Sequence, residues 1–149
     1  MELHSYANGD FFNKLPSDLQ NLIIDTKVIS GHGSADTSNF TSTDKIYLLS
    51  AHEIYEDGTS NQVSSKDTAW NNTRQLDYYK ARNVTADGHL SSTHKWYKDD
   101  INEMADFWWL RAAHSNHGAM FWVSISNGNK FFSYPDKFNF GFAPAFRIG

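Results

Sequence analysis

Residues 107–113 read FWWLRAA, two adjacent tryptophans running into a fixed positive charge. Successive side chains on a strand point to opposite sides, so Trp108 and Trp109 both leave water only if both faces of that strand are covered. One of them belongs in a core. The other needs a second layer above it, or a binding partner.

The residues that follow read as a sheet, with strands expected over 107–111, 118–126, 130–134 and 140–148. GAMFWVSIS alternates, and Asn127-Gly128 is a strong hairpin signal, since both residues tolerate the positive φ of a two-residue turn. Pro144 suits an edge or a bulge, because it cannot donate to a ladder. A two-residue turn pairs Ser126 with Asn129, Ser124 with Phe131 and Trp122 with Ser133. It pairs Ile125, Val123 and Phe121 with Lys130, Phe132 and Tyr134. Opposed residues share a face. Phe121, Val123, Ile125 and Phe132 then form the core side, and Trp122, Ser124, Ser126, Asn129, Phe131 and Ser133 the reverse. The reverse mixes two aromatics with short polar groups, as adaptable binding surfaces do. Packing of Trp122 and Phe131 beneath the loop 114–118 accounts for the same pattern, and the sequence leaves both readings open.

Upstream, Leu15, Leu19, Leu22 and Ile23 recur at helical spacing behind a Ser17/Gln20 capping-box pattern, which predicts a helix over 17–24. Residues 31–44 read as a polar loop whose glycines lack the Gly-Lys-Ser/Thr ending of a phosphate cradle. KIYLLS, 45–50, reads as a buried strand, and 56–61 as a turn-rich break. Ala69, Trp70, Thr73, Leu76 and Tyr79 predict an amphipathic helix over 66–82 that ends before the turn signal Asp87-Gly88. Asp99, Asp100 and Glu103 fit the start of a short helical turn, where the dipole favours acids.

Length and charge narrow the function classes. A chain of 149 residues fits one domain and buries roughly two-thirds of its unfolded surface. Its 13 basic and 17 acidic residues give −4 with no basic run, which argues against nucleic acid as a partner. No stretch approaches the ~20 apolar residues of a membrane span, and no signal-peptide pattern stands at the start. The absence of cysteine removes disulfides, thiolate zinc sites and cysteine nucleophiles together. Sequons at Asn39, Asn71 and Asn83 are weak signals in a chain so rich in Asn, Ser and Thr. No Gly-x-Ser-x-Gly elbow marks a hydrolase. His114 with His117, or His89 with His94, lacks a third zinc ligand at a recognisable spacing. The acids of 98–106 suit capping and solvation better than calcium. No metal, cofactor or catalytic residue is assigned.

FWWLRAA, FWVSISNG and GFAPAFRI together resemble an uncharacterised domain family of bacterial surface proteins and Firmicute phage structural proteins. Its signature is approximately WWLRS, then F-x-x-V-x-x-x-G, then G-V-R-P-A-F-x-I. The upstream FFNKLPSDLQNLI, TDKIYLLS and TRQLDYYK also resemble it, so the likeness covers nearly the whole chain. Ala112 and Ala113 replace the usual Ser and Pro, and Ala143 the usual Arg. Strands that members carry ahead of the LP-helix are missing. The expectation is therefore one domain over 1–149, forming the C-terminal part of a longer polypeptide, with Met1 not native to it. The family is similar to the C-type-lectin-like fold of formylglycine-generating enzymes and of the variable proteins of diversity-generating retroelements. The resemblance implies an α+β, C-type-lectin-like fold: a small twisted antiparallel sheet with a C-terminal hairpin, two helices and long irregular loops. It also implies that one tryptophan of FWWLR enters the core while the other lies beneath loops framing a ligand site. Arg111 then fixes a loop carbonyl or carboxylate rather than touching ligand. Formylglycine chemistry needs cysteines that this chain does not have.

The favoured expectation is a non-enzymatic recognition domain for a host-surface protein or carbohydrate, on a phage tail or a bacterial cell surface. Its ligand residues would be His114, Ser115, Asn116, His117, Trp122, Ser124, Asn129, Phe131, Ser133, Tyr134 and Asp136. These are dominated by residue types that mutation of adenine in asparagine-type codons reaches, as in a diversified variable protein. Two alternatives stand beside it: a glycan-modifying or hydrolytic enzyme using Asp99, Asp100 or Glu103, and an oligomerising structural module.

Overall fold

The computed structural model describes residues 2–87, 108–116, 121–124, 130–133, 141 and 143–149. Among these residues the architecture is α+β, with short helices in the first half and small antiparallel sheets. Helix α1 (Glu2–Tyr6) passes through a π-helical turn, Ala7–Phe11, into α2 (Phe12–Lys14). Leu15 turns extended, as a residue before proline must, and α3 (Ser17–Leu22) begins after Pro16.

The helix expected over 17–24 stops at Leu22, because Ile23–Ile24 form a strand, β1. The Ser17/Gln20 capping box does not form. Pro16 occupies the N-cap position, and Gln20 Nε2 donates to the Leu15 carbonyl at 2.6 Å.

Strand β2 (Thr26–Gly31) pairs with β3 (Asn39–Asp44) from Thr26↔Asp44 to Gly31↔Asn39. Residues 39–44 are thus a strand and not part of a loop. Most of β3 is exposed on both faces, so no apolar alternation marks it, and Phe and Thr content carries its strand preference. Gly33, at φ +98°, makes the connection in a conformation other residues resist.

Residues 45–50 are buried or half-buried as expected, with Ile46 fully enclosed, but among the described residues they form only a single bridge, Tyr47↔Ala145. The amide of Asn8, carried on the π-helical turn, replaces a neighbouring strand. Its Oδ1 accepts from the Lys45 and Ile46 amides at 3.0 Å each, and Nδ2 donates to the Ile46 carbonyl at 2.9 Å.

The expected helix over 66–82 is also corrected. A turn precedes a 3-10 segment, Trp70–Asn72, the chain then extends, and α5 covers only Asp77–Lys80. The cause is tertiary. Gln75 Nε2 donates to the Ile54 and Val84 carbonyls, both at 2.8 Å, and the Leu76 amide to the Glu53 carbonyl at 3.0 Å. Asn71, Asn72 and Thr73 are weak helix formers that yield to such bonds. Ile54 and Glu53 belong to α4 (Ala51–Ile54).

Strands β4 (Trp108–Ala113), β5 (Phe121–Ser124) and β6 (Lys130–Ser133) make an antiparallel sheet in the order β4-β5-β6. The last expected strand divides into separate contacts: Gly141 with Trp108, Ala145 with Tyr47, and β7 (Arg147–Ile148) with β1. Pro144 falls between contacts, where its missing N–H costs nothing.

The hairpin register differs by one residue from the expected one. Phe121 pairs with Ser133, Trp122 with Phe132, Val123 with Phe131 and Ser124 with Lys130. A one-residue slip exchanges faces along a whole strand.

Along β4, Trp108, Leu110 and Ala112 point into the main core beside Ile54, Tyr55, Val63 and Val84. A smaller core joins Ala7, Ile23 and Ile46 to Phe11, Phe12, Leu15 and Leu19. Trp108 is 4% exposed, so Trp108→Ala is expected to cost roughly 3–5 kcal/mol, read as a lower urea midpoint at unchanged slope. Phe146, 38% exposed, should tolerate alanine within about 0.5 kcal/mol. Equal losses at the two positions would contradict this inward face.

Candidate functional site

The second face of β4 carries Trp109 and Arg111, each half-buried. Arg111 donates from Nη1 and Nη2 to Glu53 Oε2 and Oε1 at 2.6 and 2.9 Å, a two-point fork. Nη1 also reaches the Leu48 carbonyl at 2.7 Å, and Nε the Ile29 carbonyl at 3.2 Å. Arg111 therefore fixes a loop carbonyl, a β2 carbonyl and a carboxylate, the role that the resemblance implied.

Glu53 is held from its own side too. The Ser50 amide donates to Glu53 Oε2 at 2.8 Å and the Glu53 amide to Ser50 Oγ at 3.1 Å, a complete capping box on α4. Sequence reasoning missed Glu53, although Ser50-x-x-Glu53 is the capping pattern itself. A guanidinium that is 10% exposed against a carboxylate that is 16% exposed needs such full pairing to be tolerated.

Two more buried polar groups adjoin this pair. His52 stacks on Trp70 with ring centres 3.3 Å apart, and its Nδ1 lies 3.0 Å from the Trp70 carbonyl. Asp67, 2% exposed, closes its turn by accepting the Ala69 amide on Oδ1 at 2.9 Å. Burial pushes the Asp67 carboxyl above its ordinary range; the Ala69 amide and the charges of Arg111 and His52 oppose this, and Glu53 adds to it.

The loop after β4 hangs on that turn. Pairing of β4 with β5 is irregular between Trp109 and Ala113, so the end of β4 leaves the regular ladder. The Ser115 amide then donates to the Lys66 carbonyl at 2.8 Å and Ser115 Oγ to the Ser65 carbonyl at 3.1 Å. The Asn116 amide donates to His114 Nδ1 at 3.2 Å.

His114, expected to meet ligand, is 2% exposed and shapes the loop from inside. Ser115 is half-buried and serves as an anchor, while Asn116 is exposed. The register divides the remaining candidates. Trp108 pairs with Ser124 and Trp109 with Val123, so positions 122 and 124 fall on the Trp108 side of the sheet. Positions 131 and 133, opposite 123 and 121, fall on the Trp109 side. The single face once expected to hold Trp122, Ser124, Phe131 and Ser133 is therefore split in two. His117, Asn129, Tyr134 and Asp136 lie outside the described residues, as do Asp99, Asp100 and Glu103.

Leu49, Tyr79, Trp108, Trp109, Ala143 and Pro144 line a cleft of about 120 Å³. Small-molecule sites occupy roughly 300–1,000 Å³, so this cleft is a packing seam along Trp109. Among the described residues, no group of three or more His, Asp and Glu side chains could hold a metal ion. None of their helices is long and apolar enough to cross a membrane.

A polar clasp joins residues 59–61 to Asp87. Asp87 accepts from Thr59 Oγ1, the Ser60 amide and Asn61 Nδ2 at 2.8, 2.8 and 2.7 Å. These donors hold its carboxyl down at about 2.

With this geometry in place, the comparisons give the family. The chain belongs to the family described as "Domain of unknown function (DUF6273)", which matches residues 1–148. No curated protein and no solved structure matches it.

Two outcomes follow for the site. Arg111→Ala removes both the charge and the fork, and should cost about 3–5 kcal/mol in chemical denaturation, as Glu53 is left buried and uncompensated. A loss under about 1 kcal/mol would place the pair among ordinary surface bridges. The Asp87 clasp should persist in acid. A depressed carboxylate contributes fully above its unfolded value of about 3.9 and loses that contribution as pH falls through the folded value. The Ser60 amide resonance should therefore shift with a midpoint near 2, and a midpoint at the ordinary aspartate value would remove the clasp.

Proposed function

We propose that this chain is a non-enzymatic recognition domain with a C-type-lectin-like arrangement, which binds a host-surface protein or glycan from a phage tail or a bacterial surface protein. The observation that carries the reading is the loop after β4. Its backbone is fixed from within by His114 and from below by the Ser65 and Lys66 carbonyls, while Asn116 faces solvent. A short polar loop anchored at its base presents hydrogen-bonding groups with little ordering left to lose on binding. Arg111 and Glu53, the strongest charged groups near it, are engaged with each other and with carbonyls, which suits a scaffold role.

The register refines the ligand surface. Phe131 and Ser133 sit on the Trp109 side of the sheet, and together with Asn116 they are the positions favoured here to touch ligand. By the same register, positions 122 and 124 fall on the Trp108 side.

Glycan and host-surface-protein arrays probed with the purified domain test this reading, with a specific hit expected in one of them. Phe131→Ala and Asn116→Ala should abolish that hit with stability changed by less than about 1 kcal/mol. Turnover of an arrayed glycan, or silent arrays with folded protein, would overturn the proposal.

A further inference from the structure

The turn that carries the ligand loop contains a buried acid without a counter-charge of its own. Residues 63–70 fold tightly: the Lys66 and Asp67 amides both donate to the Val63 carbonyl at 2.9 Å, and the Trp70 amide to the Asp67 carbonyl at 3.0 Å. Val63 is fully buried, so the turn is pinned in the core. On the other side a Cβ at Gly31 would run into Thr68 Oγ1, so the end of β2 is packed directly on the turn. Asp67 Oδ1 has the Ala69 amide, whereas the enclosed Oδ2 has no hydrogen-bond partner.

The charges facing this carboxyl come from two elements, Arg111 on β4 and His52 and Glu53 on α4. Arg111 directs its fork to Glu53 and its other bonds to the Leu48 and Ile29 carbonyls. His52 directs Nδ1 to the Trp70 carbonyl and Thr73 Oγ1. Lys66 precedes the acid in the turn, and His114 lies in the loop the turn holds. None of these gives Oδ2 a hydrogen bond. An ionised oxygen so enclosed destabilises the closed turn far more than a neutral, protonated one does.

We infer that Asp67 is a proton-operated latch beneath the ligand loop: neutral, it keeps the 63–70 turn closed, and ionised, it loosens the turn and with it the Lys66 and Ser65 carbonyls that hold Ser115. This gives the recognition surface a pH dependence, and in that respect it rests on the reading of Asn116, carried on this loop, as ligand-contacting. The sign follows from linkage. A carboxyl raised by burial favours the closed turn fully below its ordinary value, and that preference is lost as pH rises through the raised one.

Amide exchange at Ser115, corrected for its intrinsic rate, reads the latch without any ligand. In the wild-type protein, protection should fall about tenfold per pH unit between the ordinary value of about 3.9 and the raised value, then level off. In Asp67→Asn the same window should be flat. A flat wild-type profile, or the same slope in the variant, overturns the latch. If Asp67→Asn does not fold, carboxyl ¹³C titration of Asp67 in the wild-type protein decides instead: a midpoint above about 3.9 supports the latch and one at or below it refutes it. A flat profile beside a positive array refutes the latch alone, and a sloped profile beside silent arrays refutes the recognition reading alone.

Discussion

The fork between Arg111 and Glu53 is the interaction on which the rest of the described structure depends. It joins the middle of β4 to the first turn of α4, and through the Ile29 and Leu48 carbonyls it also fixes β2 and the segment before α4. Three stretches distant in sequence, around residues 29, 48–53 and 111, meet at one planar cation. Lysine, with a single point charge, offers no geometry that serves two carboxylate oxygens and two carbonyls at once. The capping box completes the arrangement, because the carboxylate that receives Arg111 also satisfies an orphan amide at the start of α4.

That pair also explains the paired tryptophans. A strand with Trp108 on one side and Trp109 on the other needs cover on both. The apolar side receives it from Ile54, Tyr55, Val63 and Val84. The other side receives it from the elements Arg111 draws in and from the seam of Leu49, Ala143 and Pro144 along Trp109. The second layer implied by FWWLR is thus held in place by a polar interaction.

Polar side chains replace regular secondary structure elsewhere too. Asn8 serves residues 45 and 46 as a strand neighbour, Gln75 ties Ile54 to Val84, and Asp87 gathers a loop around its carboxylate. With so few long helices, these amides and carboxylates satisfy backbone groups that ladders would otherwise occupy. The chain's richness in Asn, Ser, Thr and Asp reads as loop composition until the partners are known.

By itself the sequence determined a strand through FWWLR that needs cover on both sides and the existence of the β5–β6 hairpin, while the α+β class and the role of Arg111 came with the family resemblance. The first two rest on local signals that survive without tertiary information, side-chain alternation and a turn dipeptide; which tryptophan turns inward was decided by the packing around Trp108. What the tertiary structure decided were features set by distant partners. Residues 66–82 have helical spacing, yet Gln75 and Leu76 find better partners on α4. Residues 39–44 show no alternation because β3 is exposed on both sides, and only β2 makes them a strand. Of the candidate site, the loop 114–116 was legible as polar, but the burial of His114 was not, since it depends on what packs around it. The hairpin register was misjudged for the same reason. A turn dipeptide fixes that two strands meet, whereas the pairing that fixes their faces is chosen by the whole sheet, and one residue of slip reverses every side chain along it.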